Sequence, residues 1–122
     1  MALVIGQDVI VPFFIDQTDT LAGTSAELIS PVDGFVKALY VTVQAAVGTG
    51  GDVTVEVNGT AVAGLTVTVA NSATKGTVYS DTPTAGSSTR VVEIGDRLEI
   101  IPAAAFATSG AISGFLVINT GA

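Results

Sequence analysis

Without histidine or cysteine, this chain has few groups that could do chemistry, namely carboxylates, two tyrosines and hydroxyls. The acids closest in sequence are Glu93, Asp96 and Glu99, and two carboxylates that flank a glycosidic bond could hydrolyse it. However, residue alternation places Glu93 and Glu99 at outward positions of predicted strands, and Asp96 in a predicted turn. A serine nucleophile would need a lysine base, and we expect no Ser-x-x-Lys spacing in the chain. The sequence therefore predicts that the protein is not an enzyme.

Two loops offer oxygen ligands or glycine, and both are weak candidates for a bound ion or phosphate. Asp16 and Asp19 share one predicted loop, and Asp52 follows the glycine-rich residues 48–51. Calcium loops carry a denser set of carboxylates than either segment. Residues 48–51 lead into a strand, and no Gly-Lys-Ser/Thr follows, so a phosphate loop is not expected. We expect no metal site and no cofactor.

The length suits one domain, and the composition restricts the kinds of partner the protein could bind. Of the 122 residues, 48% are hydrophobic and only 12% are charged. A surface with so little charge favours packing in a lasting assembly over a solitary existence in solution. The net charge is −7, and the four cations are scattered along the chain: Lys37, Lys75, Arg90 and Arg97. Direct binding to nucleic acid is therefore not expected, because it needs clustered cations to displace counterions from phosphates.

The chain begins with an apolar segment, MALVIGQDVIVPFFI, over residues 1–15. No basic residue precedes the apolar run and Asp8 interrupts it, so we predict neither a secretory signal nor a membrane span. An exposed arm of this kind often docks on a neighbour, commonly by adding a strand to a free sheet edge. The alternative, which the sequence leaves equally open, is that residues 1–15 form the domain's own first strand.

Period-two alternation of apolar residues predicts strands throughout the chain, and no segment has a convincing helical period. About eight short strands with turns at intervals of about ten residues indicate a single antiparallel β-sandwich. Long crossovers favour a jelly-roll or other Greek-key order, with an immunoglobulin-like sandwich as the second choice. The expected organisation is an arm or first strand over residues 1–15 and a β-sandwich domain over 16–122.

Individual strands are predicted as follows. Pro12 restricts the first strand to an edge or a bend. Residues 35–44 form the strongest strand, with Phe35, Lys37, Leu39, Val41 and Val43 facing the core. Residues 52–58 and 61–70 form a hairpin around Asn58-Gly59, a dipeptide that type I′ turns prefer. Residues 90–94 and 97–101 form two strands about a tight turn. A last strand over 111–119 buries Ile112, Phe115 and Val117, with Leu116 as a further candidate for burial.

Side chains that could contact a partner come from the apolar start and from an alanine-rich loop near residue 106. The loop residues have no obvious need of burial, although packing on the domain's own core is the favoured alternative for them. The candidate contact residues are Leu3, Val4, Ile5, Val9, Ile10, Phe13 and Phe106.

Five segments in a fixed order resemble small capsid decoration (cement) proteins of tailed bacteriophages. They span about residues 30–101, which is over half of the chain, and each one alone is ordinary hairpin chemistry. The segments are 30–37 (SPVDGFVK), 40–46 (YVTVQAA), 55–62 (VEVNGTAV), 80–84 (SDTPT) and 94–100 (IGDRLEI).

The resemblance implies a β-sandwich without catalytic activity that is made in the host cytoplasm and placed on the outer capsid surface of the virion. It implies the major capsid protein as partner and a homo-oligomer, with a trimer favoured, and no contact with membranes. Two alternatives stay open: another virion module, such as a tail or head-fibre base component, and a carbohydrate-binding module. The absence of tryptophan and the presence of only two tyrosines argue against sugar stacking.

Overall fold

The computed structural model of the protein describes residues 6–16, 25–103 and 111–121. Nearly all of these residues lie in strands or in short connections between them. The only helical element among them is a single 3₁₀ turn, Ser88–Arg90. The strands are β1 (Asp8–Ile15), β2 (Ala26–Ile29), β3 (Gly34–Ala45), β4 (Gly51–Val57), β5 (Thr60–Val69), β6 (Val78–Asp81), β7 (Val91–Val92), β8 (Arg97–Pro102) and β9 (Ala111–Asn119).

The strands form two antiparallel sheets packed face to face. The five-stranded sheet has the order β1-β9-β3-β6, with β7 also pairing with β3, and the four-stranded sheet has the order β2-β8-β4-β5. The pairs are nested: β1 with β9, β2 with β8, β3 with β6, and β4 with β5. This nesting is the connectivity of a jelly roll. It differs from the immunoglobulin order, in which the first strand lies beside the second. The predicted all-β sandwich is confirmed, with the jelly-roll order.

The core is a layer of branched aliphatic side chains between the sheets. Leu39 and Leu116 from the five-stranded sheet and Val55 and Ile100 from the four-stranded sheet are completely buried. Burying one such side chain stabilises the fold by about 1.5–3 kcal/mol. The single buried polar residue in the described part of the chain is Ser30, whose hydroxyl donates to the Val32 carbonyl oxygen at 2.7 Å. No charge enters the core within these residues, so hydrophobic burial is its main source of stability.

The β4–β5 hairpin forms as predicted. Asn58 and Gly59 have φ values of 50° and 85°, as a type I′ turn requires. The valines of β4 face the core, and the alternate residues face outward. The Asn58 amide also clamps the neighbouring turn: its Nδ2 donates to Asp96 Oδ1, and its Oδ1 accepts from the Arg97 backbone N–H, both at 2.9 Å.

The prediction that Phe35 and Lys37 of β3 face the core is wrong. Val36 pairs with Ile118 and Ala38 with Val117, which leaves Lys37 as an extra residue in a β-bulge. The bulge turns Val36 into the core and leaves Lys37 exposed. Phe35 is half-buried for the same reason. Beyond the bulge the inward facing of Leu39, Val41 and Val43 is confirmed.

Two further expectations for the second half of the chain need correction. The residues about the Gly95-Asp96 turn do not form a hairpin, because β7 pairs with β3 in one sheet and β8 joins the other sheet. Glu93 therefore lies in the crossover turn, outside any strand. In β9, Phe115 faces away from the core, whereas Leu116 and Ile118 fill it.

Candidate interaction surface

One outer edge of each sheet, β1 in the first and β5 in the second, is poorly suited to accept an extra strand. Pro12 lies in the middle of β1, the edge strand of the five-stranded sheet, and it has no N–H to offer a partner. This placement of Pro12 at an edge is confirmed. The edge strand β5 is covered by side chains: Asp81 accepts from the Thr66 N–H at 2.9 Å, and the Tyr79 hydroxyl accepts from the Ala70 N–H at 3.2 Å. Such covering is how natural sheets prevent strand addition.

The outward side of the five-stranded sheet carries a cluster of apolar side chains, with the polar Thr42, Ser80 and Ser113 among them. In the register of β1, β9 and β3, Pro12 lies beside Phe115, and Phe115 lies beside Tyr40. Ile10 is 50% exposed, Phe14 61% and Val78 63%. We call the following set the apolar face: Ile10, Pro12, Phe14, Tyr40, Val78 and Phe115.

The aromatic rings of Tyr40 and Phe115 stack at the centre of the apolar face. Their centroids are 4.9 Å apart, and the ring planes differ by 28°. Gly114 lets β9 approach β3 closely at this point, because a Cβ there would collide with the Tyr40 carbonyl oxygen. The stack is thus built on a close backbone contact that only glycine permits.

Charges at the border of the apolar face are paired. Lys37 Nζ lies 3.0 Å from Asp8 Oδ2, and Asn119 Nδ2 donates to Asp8 Oδ1 at 2.9 Å. The Asn119 hydrogen bond and the Lys37 ammonium lower the pKa of Asp8 below its ordinary value. On the other side, Gln44 Nε2 donates to the Ser113 hydroxyl at 2.6 Å. The Asn119 and Gln44 bonds join neighbouring strands, and the Lys37–Asp8 pair spans β9 from β3 to β1. The described residues therefore leave no unpaired charge at the Asp8 corner of the apolar face.

The outward side of the four-stranded sheet is acidic. Glu27 lies directly opposite Glu99, and Glu99 directly opposite Glu56, across β2, β8 and β4. Like charges in facing positions destabilise a sheet unless they are compensated. Compensation is partial, because Arg97 contacts Glu99 at 2.9 Å and leaves the other two carboxylates to solvent screening. The sandwich therefore has two chemically different broad sides.

The candidate contact residues of β1 divide between the two sides of their strand. Ile10 lies on the apolar face, and the partner contact predicted for it stays a prediction. Val9 is half-buried on the inward side. Phe13 is only 7% exposed and belongs to the core cluster, so its side chain is committed to the fold and we withdraw it as a contact. Leu3, Val4, Ile5 and Phe106 lie outside the described residues.

Sequence reasoning missed most of the apolar face, namely Phe14, Tyr40, Val78 and Phe115. Pro12 and the alternation of β1 could have grouped Phe14 with Ile10, since residues two apart share a strand face. No local signal could have placed Phe115 next to Tyr40, because 74 residues separate them and only the register brings them together.

One expectation about catalysis was incorrect as stated. Residues 72–75 read Ser-Ala-Thr-Lys, which is a Ser-x-x-Lys spacing. Ser72 has φ 60° and donates its N–H to the Gly48 carbonyl oxygen, so this spacing lies in the turn after β5. In serine–lysine enzymes such spacing places both side chains on one side of a helix. No hydrogen bond joins the two side chains within this described turn.

Two of the three acids considered for catalysis, Asp96 and Glu99, have structural partners. Asp96 accepts a hydrogen bond from the Glu93 backbone N–H at 2.8 Å, and this bond and the Asn58 amide lower its pKa. A carboxylate held ionised in this way stabilises the turn through its hydrogen bonds and is a poor proton donor at neutral pH. Within residues 6–16, 25–103 and 111–121, no three acidic side chains are grouped as metal ligands would be. No helix there is long and apolar enough to cross a membrane.

Comparison with protein families and with curated proteins identifies no relative. No family matches the sequence, and no curated protein is significantly similar to it. The features that bear on function are consequently the two unlike sides of the jelly roll and the surface chemistry around them.

Proposed function

We propose that this chain is a non-catalytic structural protein of a virion, a capsid decoration protein that binds the outer surface of the major capsid lattice and stabilises it. One observation carries the proposal: one broad side of the sandwich is apolar with paired charges at its border, and the other is acidic. A module that works by contact needs a side that loses water easily and a side that stays in solvent.

The apolar face has the chemistry of a protein contact. Aromatic side chains dominate the energetics of protein interfaces, and Phe14, Tyr40 and Phe115 lie within two rows of the same sheet. Burying an exposed Phe or Ile side chain contributes about 1.5–3 kcal/mol, so a few such residues support a contact of modest affinity. Many copies on one lattice add avidity to that contact. The edges at β1 and β5 favour contacts through side chains over strand addition there.

The acidic side fits an outward position. Three glutamates in one row give a surface that repels nucleic acid and other acidic particles. The jelly roll itself recurs in viral capsid proteins, which is consistent with the proposal but is an argument from fold alone. A homotrimer and a location on the outer capsid surface belong to the same proposal.

Co-sedimentation with undecorated capsids of the virus that encodes the chain tests the proposal. We expect the wild-type protein to sediment with the capsids and to raise their resistance to heat. Phe14→Glu places a charge on the apolar face at a side chain that is 61% exposed, and should weaken binding by about tenfold or more.

Ile29→Glu is the matched control, because Ile29 is 69% exposed on the acidic side of the sandwich. This variant should bind as the wild type does. The proposal fails if the wild-type protein does not sediment with the capsids. It also fails if Ile29→Glu weakens binding as much as Phe14→Glu, since the apolar face would then have no special part in the contact.

A further inference from the structure

An open depression of about 700 Å³ lies at one end of the sandwich. It is formed by the turn before β3, the segment from residue 86 to 94, and the residues that follow β9. Its floor is the β3–β7 pair, in which Phe35 lies opposite Val91. Six of its lining residues matter for the argument: Asp33, Phe35, Arg90, Val91, Glu93 and Ile94.

Arg90 lies in this depression without an anionic partner. Its guanidinium carbon is 4.4 Å from the centroid of the Phe35 ring, so the cation stacks on the aromatic face. The ion pairs formed by the described residues join Lys37 to Asp8 and Arg97 to Glu99, and neither involves Arg90. No described residue accepts a hydrogen bond from its side chain. The fork of N–H donors is therefore held in place by stacking and open to a ligand.

The backbone around Arg90 is fixed from both sides. Arg90 ends the 3₁₀ turn, and its N–H donates to the Ser87 carbonyl oxygen at 3.4 Å. Two residues later, Val92 is buried in the core. The anchored turn fixes where the side chain begins, and the stacking on Phe35 orients the guanidinium, so less freedom is lost on binding.

The charges of the lining select among anions. Asp33 accepts a hydrogen bond from the Ile94 N–H at 2.7 Å, and Glu93 is the second carboxylate of the lining. The lining carries one cation and two carboxylates, so an anion is held only by direct contact with the guanidinium, and the carboxylates repel a doubly charged phosphate about twice as strongly as a singly charged ligand. A carboxylate is planar and fits the guanidinium fork with two parallel hydrogen bonds. Val91 and Ile94 are exposed beside it and offer apolar contact to whatever carries the carboxylate.

We propose that this depression is a binding site for a carboxylate that belongs to a protein segment with an apolar side chain next to it. Arg90 binds the carboxylate, Phe35 supports the guanidinium, and Val91 and Ile94 contact the adjoining apolar group. The site goes beyond the apolar face and does not depend on the proposed capsid role. It gives the domain a second contact of different chemistry.

NMR titration of the isotope-labelled protein tests the site with small probes. N-acetyl-leucine carries a carboxylate beside an apolar side chain, and N-acetyl-leucinamide is the same molecule without the charge. We expect N-acetyl-leucine to shift the Arg90 Nε–H signal and the amides of residues 86–94. The amide and inorganic phosphate should each bind about tenfold more weakly. The assignment is overturned if the amide binds equally well, if phosphate binds more tightly, or if the shifts map elsewhere.

Variants connect the signal to the guanidinium. Arg90→Gln should weaken N-acetyl-leucine binding by about tenfold. Arg90→Lys should have an affinity between those of the wild type and Arg90→Gln, because lysine keeps the charge without the fork of N–H donors. Lys75→Gln is the control, since it removes an exposed cation from a distant turn and should leave binding unchanged. Retained amide dispersion in each variant establishes that the fold persists. Wild-type affinity in Arg90→Gln would rule the proposal out.

Discussion

The ring of Tyr40 stacks on the ring of Phe115 at a centroid distance of 4.9 Å, on adjacent strands β3 and β9. The two rings lie on the outward side of their sheet, where each still meets solvent. Stacking reduces the apolar area that each ring exposes and fixes both in one orientation. A rigid aromatic pair of this kind suits a contact surface, because little side-chain freedom remains to be lost on binding.

The stack should contribute measurably to stability. In a double-mutant cycle with Tyr40→Leu and Phe115→Leu, we expect a coupling free energy of about 0.5–1.5 kcal/mol. Urea denaturation of the four proteins measures it. Because both replacements keep an apolar side chain, most of the burial is retained and the coupling reports the ring contact. A coupling near zero would contradict the prediction.

Gly114 should tolerate no side chain. A Cβ at this position would collide with the Tyr40 carbonyl oxygen, and backbone atoms cannot move aside as a flexible side chain can. We expect Gly114→Ala to lower the free energy of unfolding by about 3 kcal/mol or more, or to prevent folding. Thermal denaturation is the measurement. Ser113→Ala, at the preceding residue of β9, is the control and should cost about 1 kcal/mol through its lost bond to Gln44.

The cover over the β5 edge should limit self-association. Removing the acceptors with Asp81→Ala and Tyr79→Phe leaves the Thr66 and Ala70 N–H groups open to another strand. We expect the double variant to associate on heating at temperatures where the wild-type protein stays dispersed. Light scattering during a temperature ramp measures this. The variant Ser80→Ala, which leaves both acceptors in place, should behave as the wild type does.

Stability should fall in acid partly through Asp8 and Asp96. Hydrogen bonds from Asn119 and Lys37 lower the pKa of Asp8, and those from the Glu93 backbone and Asn58 lower the pKa of Asp96, each relative to an ordinary value of 3.8. A carboxyl with a lowered pKa in the folded state stabilises the fold above the unfolded pKa. That contribution disappears as the pH falls through the folded pKa.

Substituting both carboxyls should therefore make the free energy of unfolding depend less steeply on pH in acid. We expect the double variant Asp8→Asn, Asp96→Asn to lose less stability than the wild type as the pH falls from 3.8 towards the lowered pKa values. Chemical denaturation at a series of pH values gives the two slopes. Carbon NMR of the carboxyl groups should give midpoints below 3.8 for both residues in the wild type. Identical slopes would show that neither carboxyl contributes.

Local features of the fold were predictable from sequence. The β4–β5 hairpin follows from clean alternation on both sides of Asn58-Gly59, and both signals lie within a few residues. The jelly-roll order was favoured because its long connections recur at the right places. The bulge at Lys37 was missed, since it depends on how Val36 and Ala38 pair with β9. Likewise, the Gly95-Asp96 turn can be predicted from local sequence. Which sheet each flanking strand joins depends on tertiary contacts, and the local sequence does not show it.

The candidate surface was harder to predict than the fold. Ile10 was identified because it lies in an apolar segment, and so was Phe13, whose neighbours in space turn out to be core residues. Periodicity predicts that two residues share a side of one strand, but it does not say which side is inward when both are apolar. Arg90 was noted only as a scattered charge. Its stacking on Phe35 depends on β7 crossing to pair with β3.

The nested pairing of the strands constrains the order in which the molecule can be completed. The innermost pair, β4 with β5, closes through two residues, whereas the outermost pair joins Asp8 to Asn119. Closing short loops before long ones costs less entropy at each step, so we expect the chain to zip from its middle towards its ends. Ile10 and Phe14 of β1 reach their places beside β9 only at the last step. A chain that stalls on the way would lack the completed apolar face, so under the proposed function only fully folded copies would bind the capsid.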